Sequence, residues 1–225
     1  MRTVRSFVRR EGRVTVGQQR ALENHWQEYG LDYRASPLDL TTEFGREAPR
    51  CLEIGFGSGD AIISMATNHP EEDFLGIEVF RAGAGQVIAH ATEHGLHNIR
   101  VMLIDAIDVL KNMIADETLD RVYVFFPDPW HKKKHHKRRL INSENAALIA
   151  SKLKPGGDFF LATDWENYAQ QMLQVLDECP ALENTADGFA PRNERRPLTR
   201  FEKRGQRLGH GVWDLHFRKR LARHF

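Results

Sequence analysis

From Arg50 onward the chain alternates short runs of β-branched, aromatic and leucine residues with longer segments of helical period. That alternation predicts strands over residues 50–54, 73–79, 99–104, 119–126 and 158–162. Between and after them it predicts helices over about 60–68, 82–94, 106–114, 142–153 and 165–176. The strands are nearly continuous apolar runs, as expected for strands covered on both faces in a parallel α/β sheet. Gly211-Val-Trp-Asp-Leu-His-Phe217 alternates instead, which predicts a last strand with one face buried. Upstream of residue 49 the pattern supports a helix over 18–29, with loop or arm around it.

With 225 residues and 41% hydrophobic composition, the chain has enough apolar material for one sizeable core. The expected organisation is a basic arm and helix over 1–48 and a main domain over 49–225, whose residues 192–225 form a basic loop and final strand. Cys51 and Cys179 give no disulfide framework, and the N-terminus lacks an apolar signal core. The expected compartment is therefore the cytoplasm. No stretch approaches 18 apolar residues, and nothing calls for a membrane or an obligatory protein partner.

Charge changes the picture. The net charge is only +1, yet residues 1–20, 131–139 and 192–225 hold 23 of the 32 Lys and Arg residues, against four acids. Such segregation points to a polyanionic partner. The densest run is His131 to Arg139, in which Lys132, Lys133, Lys134, Lys137, Arg138 and Arg139 are interleaved with His135 and His136. Its bland reading is a solvated helix face. Aromatic residues among the basic ones, Phe7 in the arm and Phe201, Trp213 and Phe217 in the tail, favour nucleic acid, through phosphate contact and base stacking. A metal role for His131, His135 and His136 is disfavoured by the flanking cations and the lack of Cys or carboxylate in the run. The expected metal content is none.

Five strand ends carry candidate chemistry. Gly55, Gly57 and Gly59 follow the first strand, where glycines permit a sharp turn and close backbone approach to a ligand. A dinucleotide fingerprint would need glycine at position 60, where Asp60 stands. With Glu53 beside it, that turn suits the cationic sulfonium and ammonium of S-adenosyl-L-methionine better than a pyrophosphate. Glu78 ends the second strand, where a carboxylate reaches ribose hydroxyls, and Asp105 ends the third, within reach of adenine. Each acid alone could be a helix cap or a solvated loop residue. Asp128 follows the fourth strand, between Pro127 and Pro129, and Asp164 follows the fifth.

The segments Leu52-Glu53-Ile54-Gly55-Phe56-Gly57-Ser58-Gly59, Gly76-Ile77-Glu78, Phe125-Phe126-Pro127-Asp128-Pro129-Trp130-His131-Lys132-Lys133, Thr163-Asp164-Trp165 and Thr199-Arg200-Phe201-Glu202 resemble the bacterial tRNA (guanine-N7)-methyltransferases. The resemblance runs from Ser6-Phe7-Val8-Arg9-Arg10 to Gly209-His210-Gly211-Val212-Trp213-Asp214. One departure is that the basic arm begins at Met1, where relatives usually carry a further leader. The resemblance implies a Rossmann-like class I fold, with a mostly parallel seven-stranded sheet, helices on both faces and an antiparallel final strand. It implies methylation of the variable-loop guanosine at position 46 of tRNA, with S-adenosyl-L-homocysteine as product. It also implies that Glu53, Glu78, Asp105 and Asp128 contact cofactor and that Lys132, Asp164, Thr199, Arg200, Phe201 and Glu202 contact substrate.

Guanine N7 offers an in-plane lone pair, so no general base is obligatory. Carboxylates near the purine favour the positive charge that develops there, which makes Asp128 the expected catalytic residue and Asp164 its companion. The rival readings are a non-catalytic RNA-binding protein of the same fold and a methyltransferase acting on another RNA. The first would not need the glycine turn together with Glu53, Glu78 and Asp105.

Overall fold

The computed structural model describes residues 13–198, 202 and 211–221. Helix α1 (Val16–Tyr29) opens with a capping box in which the Thr15 side chain and Gln18 exchange bonds with each other's backbone N–H. A short α2 (Leu40–Phe44), capped by Asp39, precedes the sheet. The order is then β1 (Arg50–Ile54), α3 (Asp60–Asn68), β2 (Asp73–Glu78), α4 (Arg81–His94), β3 (Ile99–Leu103), α5 (Ala106–Asn112) and β4 (Leu119–Phe125). A 3₁₀ helix (Lys133–Arg138), α6 (Ser143–Lys152), β5 (Leu153–Thr163), α7 (Glu166–Asp177), β6 (Leu182–Asn184) and β7 (Trp213–Lys219) follow.

The seven strands lie in the order β3-β2-β1-β4-β5-β7-β6. β1 to β5 run parallel, and β7 is antiparallel to both β5 and β6. The expected seven-stranded mixed sheet is thus present, and its last strand in sequence is inserted between β5 and β6. All of β1 and nearly all of β2 are buried, because one apolar cluster packs on each face. Tyr123 and Phe125 of β4 contribute to the cluster that contains α1, α3 and α4, whereas Val122 and Val124 point to the opposite cluster. The β3 edge is closed by Gly30, which bridges Val101, and by the Leu31 N–H donating to Val101 O at 2.9 Å.

At the amino ends of the strands, charges are closed on one another. Asp73 takes Arg46 and Arg50, and Glu72 takes Arg121 at 2.7 Å and Arg195 at 2.6 Å. Among the described residues no helix is long and apolar enough to cross a membrane.

Candidate active site

The exit from β1 is a run of left-handed backbone. Gly55, Gly57 and Gly59 have φ of 74°, 56° and 86°, values that L side chains adopt only with strain. The turn is also pressed from α4, since a Cβ added at Gly83 would lie 1.8 Å from Gly57 O. Glu78 fixes it from the neighbouring strand. Its Oε2 accepts from Gly57 N–H at 2.8 Å, and its Oε1 accepts from Val79 N–H at 2.6 Å and Phe80 N–H at 3.1 Å.

Glu53 lies under this turn at 3% exposure, and its Oε2 has no hydrogen-bond partner. Burial, then the nearby Glu78 and Asp60 charges, push its carboxyl up to about 8. A buried acid with an unpartnered oxygen is costly unless a ligand completes it, and a cation is the complement that restores its ionised form. Asp105 is the N-cap of α5, with Oδ1 accepting from Ile107 N–H at 3.0 Å. The capping reading of this residue therefore holds, at the strand end expected for a cofactor contact.

Asp128 sits in a turn with strained backbone on both sides. Phe126 has φ 52° and Trp130 has φ 48°, and left-handed bulky residues cost about 1–3 kcal/mol each. The Phe126 N–H donates to Ala162 O at 2.7 Å, and the Trp130 N–H donates to Asp128 Oδ1 at 3.0 Å. Trp130 is buried and covered by the Arg138 guanidinium, 4.9 Å from its ring. Asp128 itself is exposed. Asp164 is exposed at the end of the adjacent strand β5, and the two turns are joined by the His131 and Trp165 rings, edge to face at 4.2 Å. Trp165 is itself 38% exposed, available for stacking.

The cationic run is a 3₁₀ helix directly after this turn. Lys132, Lys133, Lys134 and Lys137 are exposed, whereas His135, His136 and Arg138 are half-buried. Partial desolvation, then the flanking Lys134 and Arg138, hold His135 below the ordinary imidazole range. Arg139 corrects the expectation of a cationic face over the whole run. It is 2% exposed and donates inward to Pro129 O, Gln171 Oε1 and Asn167 Oδ1, with its guanidinium 4.6 Å from the Tyr168 ring. The 3₁₀ helix ends before Arg139, so the chain turns and sends this side chain under it.

Thr199, Arg200 and Phe201 lie outside the described residues. Glu202, expected at the substrate, has its carboxylate in the interior, paired with Arg196 and with Arg192 at 3.4 Å. Arg195 and Arg196 register in the sequence only as basic charge, and both are internal ion-pair partners here. Among the described residues, the group with metal-ligand proximity is His69, Glu71 and Glu72, at the amino end of the sheet, where Glu72 is held by arginines.

A family model described as "Putative methyltransferase" matches residues 47–215. A tRNA (guanine-N(7)-)-methyltransferase of Yersinia enterocolitica is 53% identical over 98% of this chain and 93% of its own length. One of Edwardsiella ictaluri is 54% identical over 97% of this chain and 93% of its own. In fold, the chain is similar to the 16S rRNA methyltransferase KamB, at a TM-score of 0.60 and 14% identity over 82% of this chain and 95% of that one. With the glycine turn, the strand-end acids and the Asp128 turn in place, the chain belongs to the bacterial tRNA (guanine-N7)-methyltransferase family.

Proposed function

We propose that the chain methylates N7 of a guanosine in tRNA, the variable-loop guanosine, using S-adenosyl-L-methionine and leaving S-adenosyl-L-homocysteine. The observation that carries this reading is the contrast between the two ends of the sheet. Asp73 and Glu72 at the amino end are closed by guanidiniums. Glu53, Asp60, Glu78, Asp128 and Asp164 at the carboxyl end form no ion pair among the described residues. Carboxylates uncompensated at this end, with Glu53, Asp60 and Glu78 grouped at the glycine turn, suit a cationic ligand and disfavour a pyrophosphate.

When bound, S-adenosyl-L-methionine supplies an electrophilic methyl on a cationic sulfur. Glu78, whose oxygens keep acceptor capacity beyond their three backbone bonds, is assigned to the ribose hydroxyls, and Asp105 to the adenine edge. Glu53 faces the cationic half and ionises as that charge arrives. On the substrate side, Asp128 and Asp164 are assigned to guanine N1–H and the 2-amino group, and to the positive charge that enters the purine. Because N7 carries its lone pair in the ring plane, these residues need not remove a proton. Their main contribution is alignment of two bound reactants.

Lys132, Thr199, Arg200 and Phe201 are assigned to the target nucleotide, and Lys133, Lys134 and Lys137 to tRNA phosphates. The basic arm within 1–48 and basic residues of the tail over 192–225 other than Arg195 and Arg196 are assigned to further tRNA contacts. Such a substrate and the two free, buried cysteines fit the cytoplasm. The test is incubation of unmodified tRNA with methyl-labelled cofactor, followed by digestion to nucleosides. Label in 7-methylguanosine is expected; label in another nucleoside, or none, overturns the reading.

A further inference from the structure

Arg196 is fully buried, at 0% exposure, in a segment whose composition reads as RNA-contacting tail. Its guanidinium is forked onto Asp214, with Nη2 donating at 2.9 Å to Oδ2 and 3.1 Å to Oδ1, and its Nη1 donates to Glu202 Oε2. Its carbon face lies 5.2 Å from the Phe126 ring and 5.8 Å from the Phe125 ring. Asp214 also accepts from Asn193 N–H at 3.3 Å and is paired across the sheet with Ala162. Ala162 O receives the Phe126 N–H, and Ala162 lies two residues before Asp164.

The buried guanidinium therefore meets the root of the Asp128 turn, and its Asp214 partner lies on the strand next to the one that leads to Asp164. Phe126 is the first strained residue of that turn. A buried cluster of this kind costs desolvation, and apolar residues of similar volume would pack the space at least as favourably. What the charged cluster supplies and an apolar one would not is direction: a planar fork fixes two carboxylates and a ring at set angles.

We propose that Arg196 is a positioning residue for methyl transfer: with Asp214 and Glu202 it forms a buried strut that fixes the backbone entering the Asp128 turn and ties it to the Glu202 end of the Thr199-Arg200-Phe201-Glu202 motif. The strut acts through Asp128 and touches neither reactant, and its kinetic part rests on the methyltransferase reading above. Arg196→Lys keeps the buried charge and removes the fork and the planar face over Phe126.

The test compares the full chain with Arg196→Lys in three measurements. Hydrogen exchange should quicken at the Phe126 and Trp130 amides by at least roughly tenfold while amides of β1, β2 and β3 keep their rates. Single-turnover methyl transfer at saturating tRNA and cofactor should fall at least roughly tenfold, and cofactor Kd should stay within about twofold. Uniform acceleration of exchange across the sheet with unchanged turnover would make Arg196 a stability residue only and overturn the proposal. Should Arg196→Lys not fold, the neutral triple variant Arg196→Met, Glu202→Gln, Asp214→Asn is measured in the same way. Normal turnover and protection in that variant, or its failure to fold as well, would equally overturn it. The exchange result does not depend on activity, so a parent chain inactive on tRNA would sink the functional reading and leave the strut to be judged by amide protection.

Discussion

The carboxylate of Glu78 accepts a hydrogen bond from the backbone N–H of Gly57 at 2.8 Å, so the acid that ends β2 holds the turn that leaves β1. Two features that look separate in the sequence, a glycine-rich turn and a strand-end acid 21 residues later, are one structural unit. The same carboxylate takes the Val79 and Phe80 amides, which aligns it along the sheet edge before any ligand arrives.

Replacing Glu78 by Ala should therefore weaken cofactor binding by roughly 1.5–3 kcal/mol, the range for removing a hydrogen bond to a charged group. Isothermal calorimetry on the folded variant checks it. Unchanged affinity would remove Glu78 from the cofactor site.

Glu53 makes stability depend on pH in a stated direction. Its carboxyl, pushed up to about 8 from an ordinary 4.5 by burial and then by Glu78, holds a proton in the folded chain that the unfolded chain has released. The stabilisation from that proton is complete below about 4.5 and is lost as pH rises to about 8, at up to roughly 1.4 kcal/mol per pH unit. Glu53→Gln should flatten the ligand-free stability profile across this window and exceed the parent in stability at pH 8. Denaturant melts at pH 5, 6.5 and 8 measure it, and parallel profiles for parent and variant would show Glu53 to be ionised throughout.

The cationic run should divide into two classes. Ala at Lys133, Lys134 and Lys137 should leave thermal stability unchanged and lower the slope of log Kd for tRNA against log salt by roughly 0.7–0.9 for each phosphate that is no longer neutralised. Arg139→Ala should instead lower the melting temperature, because it empties the buried Arg139 position and strips donors from the Gln171 and Asn167 side chains and from Pro129 O. A salt slope that changes with Arg139 and not with the lysines would reverse this division.

The core strands were legible because each is an apolar run stopped by a turn. The observed β1 and α3 match residues 50–54 and 60–68, and most other boundaries shift by a residue or two. Elements that depend on partners were not legible. α2 is five residues held by the Asp39 cap, too short for a period, and the three residues of β6 become a strand only by pairing with β7. β5 begins at Leu153, because Leu119 pairs with Leu153 across an irregularity that carries the ladder through Pro155 and Gly156. Of the candidate site, the positions of Glu78, Asp105, Asp128 and Asp164 at or just after strand ends, and of Glu53 before the glycine turn, were legible in the sequence. Arg139 and Arg196 were not, since a count of charges does not say which guanidiniums fold inward. The partners that draw Arg139 in lie 28 and 32 residues away, on α7.

Asp128 should matter through its charge and leave the core unaffected. Asp128→Asn keeps the side chain's size and its bond to Trp130 N–H while removing the negative charge. Turnover at saturating substrates should fall at least roughly tenfold, equivalent to ~1.4 kcal/mol of transition-state stabilisation, with an unchanged melting temperature. Normal turnover would move the role to Asp164, and a large drop in stability would make Asp128 structural.

The central claim, methyl transfer to guanine N7 in tRNA, is tested most directly with a tRNA whose variable-loop target guanosine is replaced by 7-deazaguanosine, in which a C–H stands where N7 was. Base pairing, stacking and phosphate contacts are retained, so the substituted tRNA should compete for binding with nearly the affinity of the parent. In a single-turnover assay with labelled cofactor, the account predicts transfer to the unsubstituted tRNA and none to the 7-deaza tRNA. Equal transfer to both would contradict it.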